Sequence, residues 1–312
     1  MPVSRETEEL LRIFSEAEGP GFLEMTPNEA REAYVQLAVM QGEPVQVASV
    51  EDVLVPGLAG DIPIRIYKSN LEIDLPVFIY YHGGGWELGN LETHDPLCRQ
   101  LALQSNCAVL AVDYRLAPEN KFPASADDAY EVVKWVAEEG GSLGLDGSRI
   151  AVGGDSSGGN LAAVVSIMAR DRGNSPLVAQ ILIYPVTDYC FDTTSYQEHG
   201  SGYILTTELM QNFWDLYLSK PSDGDNPLAS PLRANDLSGL PRALVLTAEC
   251  DVLRDEGEAY GERLRAAGVE TTVHRYNNMM HGFIQFGSMI PEAHTAISEI
   301  AAELKAAFNH NQ

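Results

Sequence analysis

From residue 76 onward, short apolar segments alternate with longer segments of helical periodicity. The short apolar segments suit strands that are buried on both faces. The predicted strands cover residues 76–81, 108–112, 149–152, 181–184 and 243–247, and the predicted helices cover 92–105, 125–139, 158–171, 255–267 and 292–308. This alternation predicts an α/β fold in which a mostly parallel central sheet is flanked by helices.

Two regions lie outside this pattern. Residues 1–45 have helical spacing and contain Thr26-Pro27-Asn28-Glu29, which has the form of a capping box. The segment between the strands at 181–184 and 243–247 is about twice as long as one crossover needs, and it is rich in aromatic residues. The predicted units are N-terminal cap helices (1–45), a first core part (46–186) with early strands at 47–55 and 62–68, a cap insertion (187–240) and a second core part (241–312).

The chain is strongly acidic. It carries 45 Asp and Glu against 20 Lys and Arg, a formal net charge of −25, which argues against nucleic acid and anionic membranes as partners. It contains neither a signal-peptide pattern nor an apolar run of the roughly 20 residues that span a membrane. The four cysteines have no CxxC spacing, and no metal-binding spacing is present. We therefore expect a cytoplasmic protein without a metal.

The pattern Gly-x-Ser-x-Gly occurs twice, around Ser142 and around Ser156. Ser142 follows the end of a predicted helix, which indicates an ordinary loop serine. Ser156 lies between the strand at 149–152 and the helix at 158–171, the context of a nucleophile on a tight strand-to-helix turn. Gly154 and Gly158 are expected there because side chains would collide in such a turn. Ser156 is the predicted nucleophile.

Three consecutive glycines follow the strand at 76–81, in the segment His82-Gly83-Gly84-Gly85-Trp86. Glycines allow backbone N–H groups to approach a substrate carbonyl oxygen closely. We predict that Gly83, Gly84 and the N–H of Ser157 form an oxyanion hole. A phosphate-binding loop is disfavoured because no Lys-Ser or Lys-Thr pair follows.

The general base is predicted to be His281. In this type of hydrolase the chain order is serine, acid, histidine, and His281 lies in a predicted loop beyond a strand at about 270–276. The other histidines precede the serine or lie in the insertion, a strand, a helix or the tail: His82, His94, His199, His274, His294 and His310.

The acid is predicted to be Asp251, which follows the strand at 243–247. Asp188 is the alternative, since it also follows a strand. Asp255 and Glu256 are more simply explained as acids in the first turn of a helix.

The motifs together resemble the bacterial hormone-sensitive-lipase family of esterases, in the branch with Gly-Asp-Ser at the nucleophile. The matching segments are HGGGW (82–86), DYRLAPE (113–119), GDSSGGN (154–160), DVLRDEGEAY (251–260) and HGF (281–283). The resemblance implies an α/β-hydrolase fold with a helical cap, a Ser156–Asp251–His281 triad and hydrolysis of small, short-acyl esters without a cofactor. It also implies a homodimer joined at the last strand.

Five residues of these motifs and of the insertion are predicted to contact the small-molecule ester: Trp86, Asp155, Phe283, Tyr189 and Phe213. The aromatic residues of the insertion could equally form its own core. Two alternative functions remain at this point. One is an amidase or formamidase with the same triad, and the other is a non-catalytic small-molecule receptor of the same fold.

Overall fold

The computed structural model of the chain describes residues 3–173 and 177–309, and within them it contains eight strands and nine α-helices. The strands are β1 (Ser49–Gly57), β2 (Gly60–Lys68), β3 (Leu75–Tyr81), β4 (Ala108–Val112), β5 (Leu145–Asp155), β6 (Leu177–Ile183), β7 (Arg242–Cys250) and β8 (Thr271–Met280). The helices are α1 (Arg5–Glu16), α2 (Pro27–Gln36), α3 (Asp95–Ser105), α4 (Ala124–Glu139), α5 (Ser157–Asp171), α6 (Thr194–His199), α7 (Thr207–Tyr217), α8 (Arg254–Ala266) and α9 (Pro291–Asn309).

The strands form one sheet in the order β1-β2-β4-β3-β5-β6-β7-β8. The pairs β1–β2 and β2–β4 are antiparallel, and all the other pairs are parallel. The predicted mostly parallel sheet is therefore confirmed. The carboxyl ends of β5, β7 and β8 lie at the same edge of this sheet.

Both faces of the sheet are buried. Val77 and Ile79 of β3 belong to one apolar cluster, whereas Phe78 and Tyr80 belong to the other, because successive side chains of a strand point to opposite faces. Helices cover both clusters, with α4 and α5 on the first and α3 and α9 on the second. Because both faces are buried, the sequences of these strands are continuous apolar segments.

Several strands are longer than predicted, β5 and β8 among them. β5 begins at Leu145, which pairs with Leu75 of β3, rather than at residue 149. β8 continues to Met280, which pairs with Cys250 of β7, so residues 277–280 are strand and not loop. Backbone pairing extends these strands through polar residues that interrupt the apolar pattern.

The N-terminal region is helical, as predicted. Thr26 caps α2, and its N–H donates to the carboxylate of Glu29 at 2.9 Å, so the capping box is present. On the same helix, the guanidinium of Arg31 donates to the carbonyl oxygens of Glu87 (2.9 Å) and Ala117 (2.8 Å). These contacts hold α2 on the loops that follow β3 and β4.

Candidate active site

Ser156, His281 and Asp251 meet at the carboxyl edge of the sheet. Nε2 of His281 lies 3.0 Å from Oγ of Ser156, and Nδ1 of His281 lies 2.7 Å from Oδ2 of Asp251. The three residues follow β5, β8 and β7, and the structure brings them into one chain of hydrogen bonds. In this arrangement the imidazole can accept the serine proton while the carboxylate accepts a hydrogen bond from its other nitrogen.

Ser156 is held in an unusual backbone conformation, with φ 56° and ψ −117°. Its N–H donates to the carbonyl oxygen of Ile183 at 2.8 Å, which ties the turn to β6. A Cβ atom at Gly154 or Gly158 would overlap the carbonyl oxygen of Tyr81, so both positions require glycine. The turn presents the serine hydroxyl at the start of α5.

Asp251 is buried, and its second oxygen is also occupied. Oδ1 accepts the N–H of Leu253 at 3.0 Å, which leaves Oδ2 facing His281. The alternative acid, Asp188, instead forms an ion pair with Arg233. The alternative serine, Ser142, is exposed and donates its hydroxyl to the carbonyl oxygen of Glu139 at 2.9 Å.

The other described histidines do not contact Ser156. His82 and His94 are buried beneath the glycine loop, His199 contacts Arg254, His274 contacts Glu299, and His294 contacts the carbonyl oxygen of Gly287. His310 lies outside the described residues.

The glycine loop requires a correction to the predicted oxyanion hole. The N–H of Gly83 donates to Oδ1 of Asp155 at 2.8 Å, so it is not available to a substrate. Gly84 (φ 123°) and Gly85 (φ 61°) line the pocket instead, and no hydrogen bond within the described part of the chain engages their N–H groups. The candidate donors are therefore one residue further along, the N–H groups of Gly84 and Gly85, together with that of Ser157.

Asp155 lies directly before Ser156 and is the centre of a buried polar network. Oδ1 accepts from Tyr80 Oη at 2.8 Å and lies 3.1 Å from Nε2 of His94, while Oδ2 accepts from Nε2 of Gln285 at 2.8 Å. Burial by itself raises the pKa of Asp155, but His94 and these hydrogen bonds outweigh burial and lower the pKa below its ordinary value. The carboxylate is thus ionised where it holds the glycine loop.

A small cavity of about 90 Å³ adjoins the serine. Its wall contains two of the predicted substrate-binding residues, Asp155 and Phe213. The remaining lining residues are Phe22, Tyr34, Leu37, Gly84, Gly85, Leu88, Ser156, Ile204, Leu205, Leu209, His281, Gly282, Gln285 and Phe286. The wall is mainly apolar, and it combines the N-terminal region, the insertion and the core.

Three predicted substrate-binding residues lie behind this wall. Trp86 is fully buried and stacks on Tyr217, with ring centroids 4.1 Å apart. Phe283 is also buried and packs against Tyr184, and Tyr189 packs against Trp214. These aromatic rings support the site from behind, so we withdraw the prediction that they contact the substrate.

Several wall residues, notably Tyr34 and Gln285, were not predicted from the sequence. Neither belongs to a recognised motif; for Tyr34 the signal was the general expectation that residues 1–45 form part of a cap, and for Gln285 there was none. A second, outer groove of about 640 Å³ shares Phe22, Ile204 and Leu209 with the inner cavity. Leu23 lines only this outer groove.

The described residues contain no group of three His, Cys, Asp or Glu side chains placed to hold a metal ion. No helix in residues 3–173 and 177–309 is both long and apolar enough to cross a membrane.

The sheet, the strand-to-helix turn and the serine–histidine–aspartate contacts define the class of α/β hydrolases. A family model described as "alpha/beta hydrolase fold" matches residues 78–285, and the chain belongs to this hormone-sensitive-lipase-like family. It is 44% identical over 253 residues to the carboxylesterase NlhH of Mycobacterium tuberculosis, covering 80% of this chain and 79% of that protein. It is 36% identical over 285 residues to an arylesterase of Saccharolobus solfataricus, covering 91% and 93%.

A solved structure gives the same result. The hyperthermophilic esterase of Pyrobaculum calidifontis superposes with a TM-score of 0.94 at 46% identity, covering 98% of this chain and 99% of that one. The predicted α/β-hydrolase fold is therefore confirmed.

Proposed function

We propose that this chain is a serine carboxylesterase that hydrolyses small, short-acyl esters through an acyl-enzyme intermediate. The carboxylesterase activity itself agrees with the relatives, which are named carboxylesterase, arylesterase and ethyl acetate hydrolase. The observation that carries the mechanism is the hydrogen-bonded series from Ser156 through His281 to Asp251.

In the first half of the reaction, Nε2 of His281 takes the hydroxyl proton as Oγ of Ser156 attacks the ester carbonyl carbon. Asp251 accepts a hydrogen bond from Nδ1 of His281 and stabilises the imidazolium that forms. The backbone N–H groups of Gly84, Gly85 and Ser157 donate to the oxyanion, as a typical oxyanion hole does. The imidazolium then protonates the leaving alcohol.

In the second half, His281 takes a proton from water, and the hydroxide attacks the acyl carbon of the Ser156 ester. The same N–H groups stabilise the second tetrahedral intermediate. Collapse of this intermediate releases the carboxylic acid and returns the proton to the serine oxygen. Every step uses groups of this chain, the ester and water.

The preference for short acyl groups rests on the size of the inner cavity. A cavity of about 90 Å³ with an apolar wall favours an acyl chain of a few carbons. The amidase and receptor alternatives are not favoured, since the relatives are esterases by name and the complete Ser–His–Asp arrangement is present.

The experiment that tests this proposal uses p-nitrophenyl esters from acetate to palmitate. The wild type is expected to hydrolyse the short esters best, and Ser156→Ala is expected to lower kcat by at least about 10⁴-fold. Ser142→Ala is the matched control and should keep wild-type activity. Activity that survives in Ser156→Ala but disappears in Ser142→Ala would reverse the assignment.

Further proposals concern the organisation of the chain. We retain units 1–45, 46–186, 187–240 and 241–312, in which the first and third act as a cap over the cavity. We also retain a cytoplasmic location, supported by the buried thiols of Cys98 and Cys107, which are not in a disulfide.

We also propose a homodimer formed through β8, which is the last strand in the sheet order. Light scattering coupled to size-exclusion chromatography should give twice the monomer mass. A monomer mass at all concentrations would contradict this proposal.

A further inference from the structure

Asp155 connects the nucleophile turn to the glycine loop. It lies next to Ser156 in the chain, and its Oδ1 accepts the N–H of Gly83 at 2.8 Å. Gly83 directly precedes Gly84 and Gly85, which line the cavity. The position of the Asp155 carboxylate therefore determines where the oxyanion donors lie relative to the serine oxygen.

The other carboxylate oxygen of Asp155 is held by Gln285. Nε2 of Gln285 lies 2.8 Å from Oδ2 of Asp155, and it is the partner of that oxygen within the described residues. The same nitrogen lies 2.8 Å from Nε2 of His94 and 3.2 Å from Oη of Tyr34. One amide thus joins the carboxylate, a buried imidazole and helix α2.

Gln285 lies close to the general base in the chain. Gln285 is in the short 3₁₀ helix Phe283–Gln285, which begins two residues after His281. The segment that carries the general base also carries the group that holds Asp155. One turn of chain therefore contacts the serine turn through both His281 and Gln285, and it is connected to the oxyanion loop through Asp155.

We propose that Gln285 is a positioning residue for ester hydrolysis, which acts by fixing the Asp155 carboxylate and, through Gly83, the oxyanion donors. This inference rests on the proposed function. Gln285 transfers no proton to the substrate, and its effect passes through Asp155. No sequence motif predicts the hydrogen bonds of Gln285.

Removing the amide leaves a buried, ionised oxygen without its donor. Gln285→Met keeps the length of the side chain and removes both polar atoms. We expect kcat to fall about 10- to 100-fold, less than the complete loss of an oxyanion donor would cause, because the donors are displaced and not removed, while KM stays within about threefold. Because the oxyanion donors act mainly in the transition state, the effect appears in kcat.

Gln285→Glu provides a readout that a purely structural residue would not give. When protonated, the introduced carboxyl group can donate to Asp155 as the amide does, whereas its ionised form places a second negative charge against that carboxylate. The titratable groups around this position are Asp155, His94, Tyr34 and His281. The negative charge of Asp155 and burial raise the pKa of the introduced carboxyl group, whereas a protonated His94 would lower it, and the protonated form of the carboxyl group is populated at lower pH.

The experiment measures kcat of the wild type, Gln285→Glu and Gln285→Met between pH 6 and pH 9. The ratio of kcat for Gln285→Glu to kcat for the wild type is expected to fall as the pH rises, because the ionised carboxyl group repels Asp155. The matched control is Gln180→Met, which removes a buried glutamine whose Nε2 donates to the carbonyl oxygen of Pro241, away from the site. It should keep the wild-type kcat.

Two results would overturn the inference. One is a kcat of Gln285→Met within twofold of wild type, and the other is a Gln285→Glu ratio that does not change with pH. If Gln285→Met does not fold, the pH profile of Gln285→Glu decides alone. A wild type without esterase activity, or a fully active Ser156→Ala variant, would instead contradict the proposed function.

Discussion

Oε2 of Glu119 lies 2.6 Å from Nη2 of Arg31, and this ion pair joins α2 to the loop that follows β4. The same guanidinium donates to the carbonyl oxygens of Glu87 and Ala117. Tyr34, one turn further along α2, lines the cavity. Helix α2 is thus fixed to the core at the point where it contributes to the cavity wall.

Arg31→Met is expected to loosen this attachment. Two carbonyl oxygens and a carboxylate lose their cationic partner, so α2 should move more freely and the cavity wall should be less well defined. We expect KM for short esters to rise several-fold and α2 to be cleaved faster in limited proteolysis. Arg12→Met, which removes exposed ion pairs on α1, is the control. Equal KM and cleavage rates in the two variants would contradict the prediction.

Asp251→Asn is expected to lower kcat by about 10⁴-fold without unfolding the protein. The amide can present its NH₂ group to Nδ1 of His281, which then favours the tautomer that cannot accept the serine proton. Steady-state kinetics on p-nitrophenyl acetate measures the loss. Asp188→Asn alters an acid that pairs with Arg233 instead, so its kcat should remain close to that of the wild type.

Phe22→Ala is expected to shift the preference toward longer acyl chains. Phe22 lies between the inner cavity and the outer groove, and removing its ring should connect the two spaces. We expect the ratio of kcat/KM for octanoate to that for acetate to rise about tenfold, which corresponds to one or two additional buried methylene groups. Leu23→Ala changes only the outer groove and should leave the ratio unaltered.

Because of His82, we expect the folded protein to lose stability in mild acid. Burial and, secondarily, the neighbouring His94 lower the pKa of His82 to about 3, whereas an unfolded histidine titrates near about 6.5. Below the higher pKa, the unfolded state binds a proton that the folded state does not, so stability falls with pH from about 6.5 toward 3. At pH 5 this amounts to about 2 kcal/mol.

The measurement is urea unfolding of the wild type and of His82→Asn at pH 7 and pH 5. Between these two pH values the free energy of unfolding should fall by about 2 kcal/mol more in the wild type. Taking the difference removes the contributions of other groups, such as buried Glu256, whose raised pKa acts in the opposite direction. Parallel pH dependence of the two proteins would show that His82 is not responsible.

The sequence predicted the strand-to-helix turn because its glycines have a local steric cause. Gly154 and Gly158 are needed because the backbone passes so close to Tyr81 that side chains would collide. The glycine pattern in the sequence therefore predicts the geometry of the turn. The positions of Asp251 and His281 followed from the order of parallel strands, which the apolar segments reveal. His281 follows the longer β8 directly, so its placement did not depend on the missed strand residues.

Other parts of the site depend on contacts between distant segments. A run of three glycines does not indicate which N–H an aspartate 72 residues away will occupy, so the sequence could not show that the N–H of Gly83 is already bonded. Trp86 and Phe283 are next to functional residues in the chain, but neighbouring side chains can point in different directions. Gln285 has no motif, and its role becomes visible only once Asp155 and Tyr34 are placed around it.

At Ser156, the backbone conformation with positive φ that suits turnover also lowers the stability of the fold. A non-glycine residue in this conformation carries a strain of roughly 1–3 kcal/mol, and glycine would relieve it. Ser156→Gly would therefore relieve backbone strain and at the same time remove the hydroxyl group on which the proposed mechanism depends. Engineering for higher temperatures would therefore need to measure turnover together with stability whenever this turn is changed.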